Sequence, residues 1–262
     1  MITVSIIIVS YNARADLERC LDSLAAPPPF EPHEIIVVDN GSTDGSVAAL
    51  RSRSGLRVIE NGANLGFARA TNIGIRASSG DNLLLLNSDT VVPSGAVDAL
   101  LDQLDRNPSV AVVGPRLVDG NGRAELSFGG MIGPFNELLQ QWRARNAVER
   151  LASERHHPDW VSGACLLVRR PDAEAVGLLD ERFFMYTEDV DFCAAIRARG
   201  RRILFTPDVE VQHLRGRSVA AAPEATAAAY RRSQIAFYEK HHPVWAPFLR
   251  LYLRLRGRLP SP

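Results

Sequence analysis

Three carboxylates stand where the sequence changes abruptly from apolar to polar residues. Asp39 ends the run EIIVVD, Asp89 follows four leucines in LLLLNSDT, and Asp189 lies among the aromatic residues of FFMYTEDVDF. A carboxylate at a strand end suits a hard divalent cation such as Mg²⁺ or Mn²⁺, which binds one or two carboxylates together with substrate phosphates. A carboxylate in a partly desolvated aromatic pocket is instead a better general base.

Two of these acids have structural alternatives. Turn and helix-cap positions are common for aspartate, but Ser94 already stands where the helix after Asp89 begins, so a functional role for Asp89 is favoured. Asp39, two residues before Gly41, can accept a ring N–H from a nucleotide base or bind a ribose hydroxyl. An Asx-turn that closes the loop explains Asp39 equally well.

The acids of FFMYTEDVDF have a capping alternative. Glu188, Asp189 and Asp191 fall in the first turn of a predicted helix, where the helix dipole stabilises negative charge. Thr187 is already a good N-cap, so the acids are not needed for that purpose.

Two basic residues could contact phosphate or metal. His213 lies in VEVQHLRGRS beside Arg215 and Arg217, and Arg69 lies on the predicted helix after NLGFA. Contact with a phosphate, or of His213 with a metal ion, is possible chemistry for both side chains. Taken alone, a structural histidine and a solvated arginine are the simpler interpretations.

The elements that must position these residues follow from hydrophobic patterning. Over the first 114 residues short apolar runs alternate with amphipathic stretches, which predicts βαβ units and a parallel sheet. Ligands of such sheets bind beyond the carboxyl ends of the strands. Polar residues stand at the ends of all four of the first predicted strands, which favours a site built at this edge. They are Ser10-Tyr11-Asn12 at the end of 4–9, Asp39-Asn40 at the end of 34–39, Glu60-Asn61 at the end of 56–60 and Asn87-Ser88-Asp89 at the end of 82–86.

The second part of the chain has a less regular pattern. DGNG at 119–122 predicts a hairpin turn, and the Gly/Pro-punctuated residues 129–159 predict a mobile excursion. Apolar runs predict further strands at 110–114, 160–169, 201–205 and 209–213. Helical spacing predicts a helix at 13–26, with Asn12 as its N-cap, and a short helix that ends at Leu50. It also predicts helices at 66–79, 94–107, 188–199 and 220–241.

Composition excludes several classes of protein. The 262 residues are 46% hydrophobic and 23% charged, with 30 basic and 30 acidic side chains and no net charge, which argues against nucleic-acid binding. Cys20, Cys165 and Cys193 lack metal or disulfide spacing and predict reduced thiols in a cytoplasmic protein. No apolar run approaches the ~20 residues of a membrane span, and the N-terminus does not resemble a signal peptide.

The C-terminal tail is basic and aromatic. From Lys240 onward there are five basic residues and no acid, interleaved with aromatic and leucine residues up to Leu255. A helix of this kind can lie on an anionic membrane surface, which predicts peripheral membrane contact through residues 240–258, on the inner face. Packing on the rest of the chain or on a partner is an equally good alternative.

The ordered set of motifs resembles the family 2 glycosyltransferases of GT-A fold, most closely the bacterial rhamnosyltransferase-like branch. The matching stretches, between residues 4 and 218, are VSIIIVSYN, EIIVVDNGSTDGS, NLGFARATNIGI, LLLLNSDT, WVSGACLLVRR, FFMYTEDVDFC and HLRGRS. The resemblance implies an α/β, Rossmann-like, mostly parallel central sheet flanked by helices, with a C-terminal helical extension. It implies a catalytic domain at 1–218, with a nucleotide-sugar half at 1–115 and an acceptor half at 116–218, followed by a tail at 219–262.

The resemblance also implies an activity, namely inverting transfer of a sugar from a nucleoside-diphosphate sugar to an acceptor hydroxyl in cell-surface polysaccharide or glycolipid synthesis. The donor suggested by the branch is dTDP-rhamnose, the acceptor a glycan or a lipid-linked glycan, and the cofactor Mg²⁺ or Mn²⁺. Asn87 replaces the first carboxylate of the family's Asp-x-Asp motif. The implied roles are nucleotide contacts for Tyr11, Asp39, Asn64, Arg69 and Asn87; metal ligation for Asp89 and His213; general base for Asp189; and acceptor contacts for Trp160, Gly163 and Glu188.

Two other functions would also use a site for a sugar nucleotide. A nucleotidyltransferase that makes sugar nucleotides would need a Gly-rich basic loop after the first strand, and SYNARAD is not such a loop. A non-catalytic sugar-nucleotide-binding scaffold of the same fold is the main alternative. Asn87 leaves room for it, whereas Asp89 and Asp189 speak against it.

Overall fold

A computed structural model describes residues 1–133, 147–214 and 223–260 of the chain. Most of the HLRGRS motif, part of the predicted excursion and the predicted domain boundary at 218 lie outside the described residues. The strands are β1 Val4–Ser10, β2 His33–Asp39, β3 Leu56–Glu60, β4 Asn82–Asn87, β5 Thr90–Val91, β6 Val110–Val118, β7 Phe128–Gly129, β8 Trp160–Val161, β9 Cys165–Arg169 and β10 Arg202–His213. The helices are α1 Arg14–Ala25, α2 Ser46–Arg51, α3 Phe67–Arg76, α4 Ala96–Asp105, α5 Val148–Leu151, α6 Arg170–Ala175, α7 Glu188–Ala198, α8 Pro223–His241 and α9 Ala246–Leu255.

Eight strands form one mostly parallel sheet, in the order β3-β2-β1-β4-β9-β6-β10-β5. β3, β2, β1 and β4 are mutually parallel, as is β10 to β6, whereas β9 runs antiparallel to both of its neighbours. β7 and β8 form a separate antiparallel pair. The predicted α/β class with a mostly parallel central sheet is confirmed.

Helices cover both faces of the sheet because its strands are apolar on both sides. Ile6 and Ile8 pack in one cluster with the apolar stripes of α1 and α4, which include Leu21 and Leu100. Ile7, between them, faces the opposite cluster, which includes residues of α3 and α7. Such two-sided burial is typical of parallel strands and accounts for their near-continuous runs of valine, isoleucine and leucine.

Three local predictions were wrong. The apolar stretch 160–169 is two strands, because residues 162–164 turn away between β8 and β9. The predicted strands 201–205 and 209–213 are one strand, β10, with a register shift against β6. Asn12 does not cap α1; its Oδ1 accepts the backbone N–H of Thr43 at 2.8 Å and so ties the loop after β1 to the loop after β2.

The C-terminal helices pack on the part of the chain that contains the sheet. Phe237 and Tyr238 of α8 form a third apolar cluster with Phe183 and Val190, which flank the start of α7. Within the described ranges, no helix combines the length and the apolar character needed to cross a membrane.

Candidate functional site

The polar ends of the first strands lie side by side, as predicted. In the parallel register Ser10 pairs with Asp39, and Asp39 pairs with Glu60. On the other side of β1, Val9 pairs with Asn87. Adjacent strands lie about 4.8 Å apart, so the ends of β2 and β4 are separated by only one intervening strand.

One carboxylate oxygen of Asp39 has a structural role, and the other has no hydrogen-bond partner among the described residues. Its Oδ2 accepts the backbone N–H groups of Gly41 and Ser42 at 3.0 and 2.9 Å, which is the turn predicted as one alternative. Its Oδ1 is buried and has no hydrogen-bond partner among the described residues. A buried acceptor without a donor is costly, so this oxygen is available to a ligand N–H or O–H.

An asparagine network holds the loop that follows β3. The side chain of Asn40 donates to Asn64 Oδ1 at 3.3 Å and to the carbonyl of Gly66 at 3.2 Å, and it accepts from Asn61 at 2.9 Å. Asn64 in turn accepts the N–H of Gly66. The network places Asn64 next to the end of β2, while Tyr11 lies 49% exposed at the end of β1.

The segment after β4 meets the end of β10. The Oδ1 of Asp89 lies 3.3 Å from His213 Nε2, and the Nδ2 of Asn87 lies 3.4 Å from the same nitrogen. The backbone joins the two elements as well, since His213 pairs with Thr90 and the N–H of Leu214 donates to the Asp89 carbonyl at 2.9 Å. The two residues predicted as metal ligands are therefore neighbours, although they are far apart in the sequence.

His213 is held between two carboxylates. Its Nδ1 lies 3.0 Å from Glu125 Oε2. Burial acts to lower the pKa of His213, but the hydrogen bonds and charges of Asp89 and Glu125 outweigh it and raise the pKa to about 9. The free protein thus favours an imidazolium between the two acids, and a cation bound by Asp89 and Nε2 would replace its proton.

The Asp89–His213 pair fits a divalent ion. Metal–donor distances of about 2.1 Å at right angles separate neighbouring donors by about 3 Å, close to the separation observed. One carboxylate and one imidazole are suitable ligands for Mn²⁺ or Mg²⁺ when phosphate oxygens and water complete the shell. Among the described residues there is no group of three or more His, Cys, Asp and Glu side chains arranged as a complete metal site.

Asp189 lies in the first turn of α7 and contacts the segment between β8 and β9. Its Oδ2 accepts the backbone N–H of Gly163 at 2.9 Å. The next carbonyl, that of Ala164, accepts the N–H of Asn87 at 3.0 Å. A short chain of contacts therefore links Asp189 to the Asn87–Asp89 segment.

A second connection runs from the strand ends to the loop before α7. The N–H of Phe67 donates to the carbonyl of Phe184 at 2.6 Å. Gly66 has φ +85°, and a Cβ there would lie 2.5 Å from that carbonyl oxygen, so only glycine fits. The three acids at 39, 89 and 189 thus converge on one edge of the sheet.

The residues that lead into α7 are strained and contain unpartnered polar atoms. Tyr186 and Thr187 both have positive φ, at 71° and 65°, which is unfavourable for side chains of this shape. Thr187 occupies the N-cap position, as predicted, but its Oγ1 makes no capping bond. Thr187 Oγ1 and Glu188 Oε2 are both buried without a hydrogen-bond partner among the described residues.

The environment of Glu188 disfavours its charged form. Burial, together with the adjacent charge of Asp189, raises the pKa of Glu188 well above its ordinary value. A neutral carboxyl group both donates and accepts hydrogen bonds. Glu188 is thus suited to bind a hydroxyl, which agrees with its predicted place in an acceptor site.

Two predicted site residues have structural partners. The indole N–H of Trp160 donates to the carbonyl of Gly130 at 2.9 Å, and the ring lies against Gly129. Arg69 is 57% exposed with its Nε 3.8 Å from Glu181. None of the contacts described for Arg69 joins it to the other candidate residues, and its nucleotide role stays a prediction.

The sequence does not predict the contacts that two further residues make at the site. Glu125 follows the hairpin turn, away from any strand end or motif, and only the folded structure brings it to His213. Asp191 was considered a capping acid, but its buried carboxylate contacts Lys240 and His241 of α8 at 2.8 and 2.6 Å.

Comparison with known proteins identifies the family. The profile of the family described as Glycosyl transferase family 2 matches residues 5–177, more than half of the chain. An N-acetylglucosaminyl-diphospho-decaprenol L-rhamnosyltransferase of Mycobacterium tuberculosis is 34% identical, over 97% of this chain and 91% of that protein. The low-salt glycan biosynthesis hexosyltransferase Agl10 of Haloferax volcanii is 26% identical over 76% of this chain and 62% of its own length.

Solved structures show the same fold. A mannosyltransferase of Pyrobaculum calidifontis, in complex with GDP-Man and Mn²⁺, superposes with a TM-score of 0.64 at 20% identity, over 94% of this chain and 67% of that one. GalNAc-T7 with UDP, GalNAc and Mn²⁺ gives 0.65 at 19% identity, over 90% of this chain and 48% of that one. The predicted fold and enzyme class are confirmed, and the chain belongs to glycosyl transferase family 2.

Proposed function

We propose that this glycosyltransferase moves a sugar, with inversion, from a nucleoside-diphosphate sugar to a hydroxyl of a lipid-linked glycan at a membrane surface, with the help of a divalent metal ion. The observation that supports the proposal is the convergence of three different groups at one sheet edge. These are the unpartnered acceptor of Asp39, the Asp89–His213 pair and the carboxylate of Asp189. Residues 1–218 would form the catalytic domain, with residues 219–262 as its C-terminal extension.

The nucleotide would lie over the ends of β1, β2 and β4. Asp39 Oδ1 would accept a ring N–H of the base, Tyr11 would cover the base, and Asn64 would contact the nucleotide from the loop held by Asn40. Asn87 and Arg69 would approach the diphosphate. This placement gives the buried Asp39 oxygen the donor that it lacks among the described residues.

The metal site would consist of Asp89 and His213. A bound divalent ion would neutralise the negative charge that develops on the diphosphate as it departs. His213 Nε2 and Asp89 Oδ1 would hold the ion, and Asn87 would lie beside them as a neutral side chain. Loss of one carboxylate relative to Asp-x-Asp predicts modest metal affinity in the absence of nucleotide.

Asp189 would act as the general base. The Gly163 N–H, which donates to Asp189 Oδ2 at 2.9 Å, would help to orient this carboxylate. A single carboxylate that removes the acceptor proton, as the acceptor oxygen attacks the anomeric carbon, gives an inverted product. Gly163 contacts Asp189 and Glu188 precedes it in α7, and we propose that these two residues and Trp160 contact the acceptor sugar.

The donor sugar and the acceptor are proposed from the mycobacterial relative, whose name describes rhamnosyl transfer to a decaprenol-linked N-acetylglucosamine diphosphate. Accordingly we propose rhamnose as the sugar, dTDP-rhamnose as the donor and a polyprenol-linked saccharide as the acceptor. The test is to incubate the protein with a panel of nucleotide sugars, Mn²⁺ or Mg²⁺ and a short-chain polyprenyl diphosphate saccharide, and to detect product by mass spectrometry.

The variant that tests the general base is Asp189→Asn, which keeps the size of the side chain. We expect transfer to fall about 10²- to 10⁴-fold, the usual contribution of a general base, while nucleotide binding measured by calorimetry is retained. Normal turnover by this variant would refute the assigned base. Transfer from no member of the panel would refute the proposed donor class.

Helix α9 supports contact with a membrane. Phe248, Leu251 and Leu255 are 61%, 54% and 78% exposed and fall on one side of the helix, whereas Leu253 is buried on another. Exposed arginines at 254 and 256 border this apolar side. An exposed apolar side bordered by positive charge is complementary to an anionic bilayer surface.

Vesicle co-sedimentation tests this contact. The full chain should bind phosphatidylglycerol vesicles more strongly than phosphatidylcholine vesicles, and a Phe248→Ser, Leu251→Ser, Leu255→Ser variant should lose the binding. Phe30→Ser is the control, because Phe30 is 92% exposed and belongs to a different part of the chain. Equal binding by all variants would refute the membrane contact, as would light scattering that shows a dimer of the full chain and a monomer of the triple variant.

A further inference from the structure

The geometry points to Glu125 as a positioning residue that orients His213 for the metal–diphosphate site. This inference rests on the proposed function and adds to it a residue outside every motif of the chain. Glu125 Oε2 lies 3.0 Å from His213 Nδ1, and both side chains are 8% exposed. The contact joins residues 88 positions apart in the sequence.

The backbone around both residues is fixed by its own hydrogen bonds. The N–H of Glu125 donates to the carbonyl of Leu117 in β6 at 2.9 Å, beyond the tight turn that begins at Asp119. His213 ends β10, which pairs with β6 on one side and with Thr90 of β5 on the other. The rotation of the imidazole ring about its own bond is the freedom that these backbone contacts do not restrict.

Glu125 restricts that rotation. A carboxylate accepts the hydrogen bond of Nδ1 and thereby leaves Nε2 for the opposite side, where Asp89 Oδ1 lies at 3.3 Å. A half-turn of the ring would exchange both nitrogens for carbons and would lose the contacts with Glu125, Asp89 and Asn87 together. Glu125 therefore selects the one ring orientation in which a nitrogen faces the site.

The replacement of a carboxylate by Asn87 makes this orientation more important. With Asp89 as the single charged group contributed by the Asn87–Asp89 segment, the nitrogen of His213 is the second protein donor available to an ion. Partners that hold a metal-bound histidine are worth about 10- to 100-fold in metal affinity. A misoriented His213 would leave Asp89 without its partner.

The test compares three substitutions in the full-length protein. Glu125→Leu removes the acceptor, and Glu125→Gln keeps an oxygen that can accept the Nδ1–H. Glu210→Gln is the matched control, because Glu210 is a 54% exposed carboxylate on the same strand as His213 that pairs with Arg116. Calorimetry measures the binding of dTDP, UDP and GDP to each protein, once with EDTA and once with Mn²⁺, and the ratio of the two affinities is the readout.

We expect Glu125→Leu to reduce the Mn²⁺-dependent gain in affinity about 10- to 100-fold while binding in EDTA stays unchanged. Glu125→Gln should keep most of the gain, and Glu210→Gln all of it. An unchanged gain in Glu125→Leu would overturn the inference, as would an equal loss of binding in EDTA and in Mn²⁺, which would indicate a general structural role. If Glu125→Leu does not fold, Glu125→Asp, which withdraws the carboxylate, takes its place with the same expectation.

These outcomes are distinct from failure of the proposed function. A wild-type protein that binds nucleotides without any gain from Mn²⁺ would refute the metal site itself. A wild-type gain that survives in Glu125→Leu would refute only the role of Glu125.

Discussion

Replacement of Asp39 by asparagine tests the nucleotide site most directly. In the free protein Oδ2 accepts two backbone N–H groups, and Oδ1 is buried without a partner among the described residues. Asparagine can keep the first role through its amide oxygen. It puts an NH₂ group in place of Oδ1, and two donors then face each other where the base N–H should bind.

The size of the effect follows from this exchange. A hydrogen bond to a charged group contributes about 1.5–3 kcal/mol, and 1.4 kcal/mol corresponds to about a factor of ten in affinity. Asp39→Asn should therefore weaken nucleotide binding about 10- to 150-fold. Stability should change little, because the loss of two charge-assisted backbone bonds is opposed by relief from burying an incompletely paired charge.

The assay is calorimetry with nucleoside diphosphates, combined with thermal unfolding. Uracil, thymine and guanine present a ring N–H at neutral pH, whereas adenine and cytosine do not, so the wild type should discriminate between these groups and the variant should not. Asp44→Asn is the control, since Asp44 caps the adjacent loop through the N–H groups of Arg14 and Ser46. Wild-type affinity in Asp39→Asn would refute the assignment of Asp39 to the base.

Three further predictions concern the rest of the site. Asp89→Ala should abolish the gain in nucleotide affinity that Mn²⁺ produces and leave binding in EDTA unchanged; calorimetry with both buffers checks this. Gly163→Ala should lower kcat about tenfold or more with little change in nucleotide affinity, because its Cβ would lie 3.3 Å from the Asp189 Cβ and small displacements of a catalytic group are costly; unchanged kcat would contradict it. Glu188→Gln should raise stability at neutral pH. The raised pKa of Glu188 means that the folded state binds more protons than the unfolded state, so its contribution to stability falls as the pH rises from about 4.5 toward the folded-state pKa. Denaturant unfolding between pH 4 and 8 should show a smaller decline for the variant than for the wild type.

The first half of the fold could be predicted closely because its strands are buried on both faces. β1, β2, β3 and β4 each begin and end within about a residue of the apolar runs that predict them. The second half was less predictable, because its strand breaks depend on the site. Residues 162–164 leave the sheet and bring the Gly163 N–H to Asp189, and the Ser162-Gly163 dipeptide is a local turn signal for an interruption that the apolar pattern hides.

The candidate site was likewise predictable only in part from the sequence. The carboxyl ends of parallel strands share one edge, so the prediction of a parallel sheet already placed Asp39 and the Asn87–Asp89 segment at the same edge. The contact of His213 with Asp89 was implied by the family resemblance rather than by pattern. Neither pattern nor family resemblance could identify Glu125. Its proposed role depends on the contact between a residue that follows the 119–122 turn and His213 at the end of β10.

The contacts of Asp191 determine how the C-terminal region can be studied. Lys240 and His241 are the last residues of α8, and both bind this carboxylate, which is 2% exposed and lies two residues beyond Asp189. A chain shortened after Glu239 would leave a buried carboxylate without the Lys240 charge and the His241 contact, a loss of roughly 3 kcal/mol in comparable pairs. Inactivity of such a shortened protein would therefore report damage to α7 rather than detachment from lipid, and single substitutions on the outer side of α9 are the informative way to separate the two.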